Sequence, residues 1–102
     1  MARTLQRPEN VCPLATDLPA LGLLVRNRRL EQFMRIDDAA ALLGVSTTLL
    51  SRLENGTPVG SDRMMRVLDG LGLSLVVVAR ADTSKVLAVL KMPTSKPSQE
   101  PF

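Results

Sequence analysis

Arginine is the residue type through which this sequence could most directly do chemistry. Ten of its 13 cationic side chains are Arg, and the formal net charge is +3. The planar guanidinium matches the forked geometry of a phosphate or of a guanine edge. Arg26, Arg28, Arg29 and Arg35 crowd into one short stretch, and Arg52 follows closely. With a pI near 9.8, this pattern permits a polyanionic partner; an ordinary, mildly basic protein would carry the same excess. Phe33 and Phe102 are the two aromatic residues. Sheets that bind RNA or single strands need exposed rings on which bases stack, so that class is disfavoured.

Catalysis is disfavoured too. Histidine is absent and Cys12 is the single cysteine, so no Cys/His metal site, Cys–His pair or Ser–His–Asp triad can be assembled. Neither paired carboxylates nor a Gly-rich phosphate loop stands in a recognisable setting. The expectation is a chain that is not an enzyme and needs no metal or cofactor. A lone thiol suits a reducing cytosol. Residues 1–10 lack the apolar stretch of a secretory signal. No apolar run approaches the length of about 20 residues that crosses a bilayer. A cytoplasmic protein with no membrane partner is expected.

The elements that must position the arginines follow from periodicity and punctuation. At 102 residues and 45% apolar content, the chain has room for one domain with a modest core. Residues 1–16, with Pro8 and Pro13, read as a flexible arm. Asp17 can cap a first helix with Pro19 in its first turn, and Leu21, Leu24, Val25 and Arg28 recur at helical spacing as far as Gln32. A second helix opens at Arg35-Ile36-Asp37-Asp38, its acidic pair suiting the positive end of the helix dipole. Gly44 closes it. Ser46 caps a third helix through Glu54, ended by Asn55-Gly56 and then Pro58. Ser61, followed by Asp62, caps a fourth that buries Met64 or Met65, Val67, Leu68 and Leu71. Beyond Gly72 the β-branched run 73–80 predicts a strand. Residues 85–92 fit a second strand, making a hairpin, or a short helix. The tail 93–102 is expected to be disordered.

Two short helices joined by a glycine-containing turn meet the geometric requirement of a helix-turn-helix, whose first helix braces across the DNA backbone while the second enters the major groove. Ala39, Ala40 and Ala41 would let the pair pack closely, with Val45 and Leu50 filling the angle. A generic helical hairpin satisfies the same geometry. Residues 35–56, RIDDAAALLGVSTTLLSRLENG, go further: they resemble the Cro/CI-like (XRE) helix-turn-helix family. The resemblance rests on Ala40, Leu42, Gly44-Val45-Ser46, Leu50 and Ser51-Arg52-Leu53-Glu54-Asn55-Gly56.

That resemblance implies a mainly α fold: a four- to five-helix domain over 17–72, with a C-terminal β-strand, single or in a hairpin, used in dimerisation over 73–92. It implies that Thr47, Thr48 and Arg52 reach base edges, Arg52 toward guanine and the Thr methyls toward thymine. Ser46, Ser51 and Asn55 would contact phosphates, with Arg35 supplying a phosphate contact of its own where the family has another residue, and Arg29 and Glu54 would form a structural ion pair joining the first and third helices. The sequence departs from the family in two places. Arg35-Ile36 stands where Ser/Thr-Gln is usual, and Phe33 where Gly is frequent.

A lone helix-turn-helix reads few base pairs, so a homodimer on a double-stranded DNA operator is expected. A strand with no partner in its own chain would pair with its copy through Leu75, Val76, Val77 and Val78; an intrachain hairpin is the alternative. Four helices followed by LGLSLVVVAR are similar to the HipB-like antitoxin branch. This implies a nucleoid-associated repressor of its own operon that holds a HipA-like kinase toxin. A stand-alone phage-type or metabolic repressor, and a protein-binding adaptor that has lost DNA, are the other two expectations.

Overall fold

The computed structural model describes residues 12–91; most of the expected arm (1–11) and the whole expected tail (93–102) lie outside them. Five helices follow one another: α1 (Leu18–Glu31), α2 (Ile36–Leu43), α3 (Thr47–Glu54), α4 (Ser61–Gly70) and α5 (Thr83–Lys91), the last preceded by a 3-10 turn at Arg80–Asp82.

Local signals set the helix ends. Asp17 accepts a hydrogen bond from the Ala20 N–H (2.9 Å), capping α1, with Pro19 in the first turn. Ser46 accepts from the Leu49 N–H (3.0 Å) and caps α3. Between them Gly44 turns the chain at φ 75°, ψ 30°. That left-handed conformation costs a residue with a Cβ about 1 kcal/mol or more and costs glycine little. One cap differs from expectation. Gly60, not Ser61, occupies the N-cap of α4, and no side chain bonds there.

The core is small and contiguous. Val25, Leu50, Leu53, Val67 and Leu71 are fully buried, joined by Ala39, Ala40, Leu43 and Leu68. Met64 lies half-buried against this cluster while Met65 is exposed, which settles the choice between them. Ala41, expected in the helix–helix contact, is exposed, whereas Ala39 and Ala40 are buried. Leu50 and half-buried Val45 occupy the angle between α2 and α3. Packing of α3 on both α1 and α2 locks its inner face, and α4 closes the other side of α2.

Close contacts at Gly22 and Arg28 help fix α1. A methyl group added at Gly22 would lie 2.6 Å from the Glu54 carbonyl oxygen and nearer still to that of Leu53. Only a glycine lets the α1 backbone come so close to the end of α3. From the same helix, Arg28 Nε donates to the Leu71 carbonyl (2.7 Å) and Nη1 to Glu31 (3.2 Å), tying α1 to the last turn of α4.

The expected C-terminal strand is not formed. Residues 73–79 have no regular structure, and no strand occurs among the described residues. A hairpin over 74–92 is ruled out because 83–91 is helical. The physical reason is that a strand needs a backbone partner, and the segment that would supply one coils instead. In α5, Val86, Leu87 and Leu90 recur at helical spacing and line an apolar groove with Leu21, Leu24 and Leu73. The β-branched run itself stays open to solvent: Leu75, Val76, Val77 and Val78 are all exposed, Val77 at 88%.

Candidate nucleic-acid interface

The interface is built on α3. Its eight residues divide cleanly, because successive positions rotate by about 100° around a helix of 3.6 residues per turn. Thr47, Ser51, Asn55, Thr48 and Arg52 fall within an arc of about 140°, counting the C-cap Asn55. Leu49, Leu50, Leu53 and Glu54 occupy the opposite side. Burial follows that division. Leu50, Leu53 and Glu54 are buried and Leu49 half-buried, whereas Thr47, Thr48, Arg52 and Asn55 are exposed and Ser51 is half-buried. A rigid, polar, hydrogen-bonding ridge therefore faces outward from a helix whose other side is clamped.

Each side chain on the ridge has a defined residual capacity. Ser46 spends a lone pair on the Leu49 N–H, which leaves its hydroxyl proton free to donate to an anion. Thr47 and Thr48 make no side-chain hydrogen bond among the described residues and present both a hydroxyl and a methyl. Arg52 extends along the ridge, with Nη2 3.5 Å from the Pro58 carbonyl oxygen, at the outer limit of a hydrogen bond. Its remaining donors have no acceptor among the described residues. Asn55 is more committed: its amide nitrogen donates to the Ser51 carbonyl (2.9 Å) and approaches the Ser51 hydroxyl (3.4 Å). It closes the last turn of α3, and a phosphate would have to compete with that bond.

The arginine cluster splits into two structural and two outward-facing members. Arg29 lies inside, where Nε and Nη2 donate to the two Glu54 carboxylate oxygens (2.7 and 2.9 Å) and Nη1 to the Met34 carbonyl (2.9 Å). Arg28 is taken up by Leu71 and Glu31. Arg35 is the N-cap residue of α2, but by its backbone alone. Its side chain reaches outward, 3.9 Å from Asp37. Half-buried Arg26 has no hydrogen bond or ion pair among the described residues. Counting cationic residues in the sequence could not separate these fates.

Phe33, which stands where glycine is frequent in the family the sequence resembles, adopts the backbone a glycine would favour. It sits just past the α1 C-cap at φ 58°, the one non-glycine with positive φ among the described residues, and is 83% exposed. Gly22 and the Arg28–Leu71 contact were missed from sequence. For Gly22 the signal existed, since a glycine inside a helix weakens it unless close packing requires one. No cluster of side chains suited to a metal ion occurs among the described residues, and no helix there is long and apolar enough to cross a membrane.

Comparison with known proteins agrees with this geometry. Residues 20–81 match the model of a helix-turn-helix domain family. Over 66 residues the chain is 35% identical to an uncharacterized HTH-type transcriptional regulator, y4mF, of Sinorhizobium fredii; the aligned part spans 64% of this chain and 87% of that protein. Fold, exposed ridge and similarity together support DNA binding of the transcription-regulator type.

Proposed function

Because the chain belongs to the helix-turn-helix domain family, we propose that it is a homodimeric repressor that reads a double-stranded DNA operator with α3. The observation that carries this reading is the ridge of Thr47, Thr48 and Arg52, held outward by burial of Leu50 and Leu53 behind it. Arg52 pairs with a guanine edge, and the threonines supply methyl and hydroxyl contacts to neighbouring bases. Arg35, Ser46, Ser51 and Asn55 fix the register on phosphates without reading sequence. As such a repressor the protein carries no catalytic role and works in the cytoplasm.

Dimerisation is assigned to residues 73–79. Leu75, Val76, Val77 and Val78 are exposed together, an apolar surface that a lone subunit has reason to cover. Two copies related by a two-fold axis would place two α3 helices on one operator. The finer role of antitoxin, repressing its own operon and holding a HipA-like kinase toxin, rests on the likeness of LGLSLVVVAR and the preceding helices to the HipB-like branch. The gene beside this one separates that role from a stand-alone repressor.

The direct test is retardation of the chain's own upstream DNA against a random duplex of equal length at moderate salt. Preferential binding supports the repressor. Equal or absent binding of both rejects it, and absent binding favours the adaptor.

A further inference from the structure

Phe33 combines two unfavourable features. Its left-handed backbone costs a residue with a Cβ, and its ring is left almost wholly in water. Glycine would relieve both. An outlier of this kind points toward a use, and the neighbourhood supplies one. Phe33, Arg26 and Arg35 line a single depression with Ser51 and Asn55 of α3. Ser51 and Asn55 belong to the outward ridge, so the depression continues the DNA-reading surface beyond the helix-turn-helix. Arg26 enters it without a hydrogen bond or ion pair to any described residue. Arg29 and Glu54 also line it but are spent on each other, and Asp37 and Asp38 line it and oppose an anion, so a phosphate there needs both Arg26 and Arg35.

We propose that this depression seats one sugar–phosphate unit of the operator backbone. Arg26 and Arg35 grip the phosphate from either side of the α1–α2 turn, and the Phe33 ring packs on the apolar face of the adjoining deoxyribose. The inference rests on the DNA-binding reading above and adds two residues to it, Arg26 and Phe33. Neither touches a base, so both contribute affinity that is blind to sequence.

The test is fluorescence anisotropy with two duplexes, the chain's own upstream DNA and a random sequence of equal length. Wild type is compared with Arg26→Ala, Phe33→Gly and Phe33→Leu, each first checked for an intact helical circular dichroism spectrum and melt. Arg26→Ala should weaken both duplexes alike by about fivefold or more, and flatten the log–log salt dependence by about one unit. Phe33→Gly should lose about three- to tenfold on both, with Phe33→Leu recovering part of the loss because apolar contact is restored. If wild type binds while Arg26→Ala and Phe33→Gly stay within twofold of it, the seat is wrong and the DNA reading survives. If wild type binds neither duplex, both fall together. A Phe33→Gly chain that keeps its DNA affinity but changes its sedimenting mass assigns the ring to a protein contact and overturns the proposal.

Discussion

Arg29 and Glu54 meet as a two-pronged pair between α1 and α3, with their side chains only 8% and 4% exposed. Removing water from two opposite charges costs several kcal/mol each, and the paired geometry does little more than offset it. The pair matters most when it is broken. Glu54→Ala should cost about 3–5 kcal/mol in urea unfolding, because a buried guanidinium is left with the Met34 carbonyl as its one acceptor among the described residues. Arg29→Met with Glu54→Leu should restore most of that loss. A single substitution costing under about 1 kcal/mol would show that water reaches the site and that the pair is not buried in solution.

Gly22→Ala tests the approach of α1 to α3. Helix propensity alone favours alanine by about 1 kcal/mol. The added methyl would press on two backbone carbonyl oxygens, which cannot rotate away as a side chain can. Steric overlap should win, giving a net loss of about 2 kcal/mol or more. An unchanged or raised melting temperature would contradict the close contact.

Phe33→Gly should do the reverse and stabilise the fold. Relief of the left-handed backbone is worth about 1–2 kcal/mol, less the extra entropy a glycine brings to the unfolded chain. The net gain of about 1 kcal/mol should raise the melting temperature by about 4–8 °C in a domain of this size. A fall in melting temperature would mean that the ring is packed in solution.

In the proposed dimer, Val77→Asp should leave a monomer in analytical ultracentrifugation where the wild type sediments as a pair. Because Val77 is exposed within the chain, the helical circular dichroism spectrum should not change. Persistence of a dimer would remove residues 73–79 from the interface.

Arg52→Ala and Arg35→Ala should part company on a panel of operator variants. The first should relax discrimination at one base position by about 1–3 kcal/mol, and the second should weaken all sequences evenly while reducing the salt slope by about one. Even weakening by Arg52→Ala would deny it a base contact.

Helices α1 to α3 were legible because their signals are local. Asp17, Ser46 and Gly44 each act within a few residues of themselves, and so can be read one window at a time. What the sequence hid depends on distant neighbours. Arg28 and Arg29 are adjacent and chemically identical, yet one takes a carbonyl 43 positions away and the other a carboxylate 25 positions away. The run Val76-Val77-Val78 has strand propensity but no strand beside it. Residues 83–91 had the composition for either state, and helix wins because Val86, Leu87 and Leu90 can then share one apolar groove.

The bond from Arg28 to the Leu71 carbonyl has a reach larger than its length. It moors the point at which the chain leaves the helical body, so residues 73–79 start from a fixed station relative to α3. In a pair joined through those residues, the separation of the two reading helices is set like the jaws of a caliper. The mooring would then help decide how many base pairs must lie between the halves of a palindrome, though neither residue belongs to the outward ridge of α3.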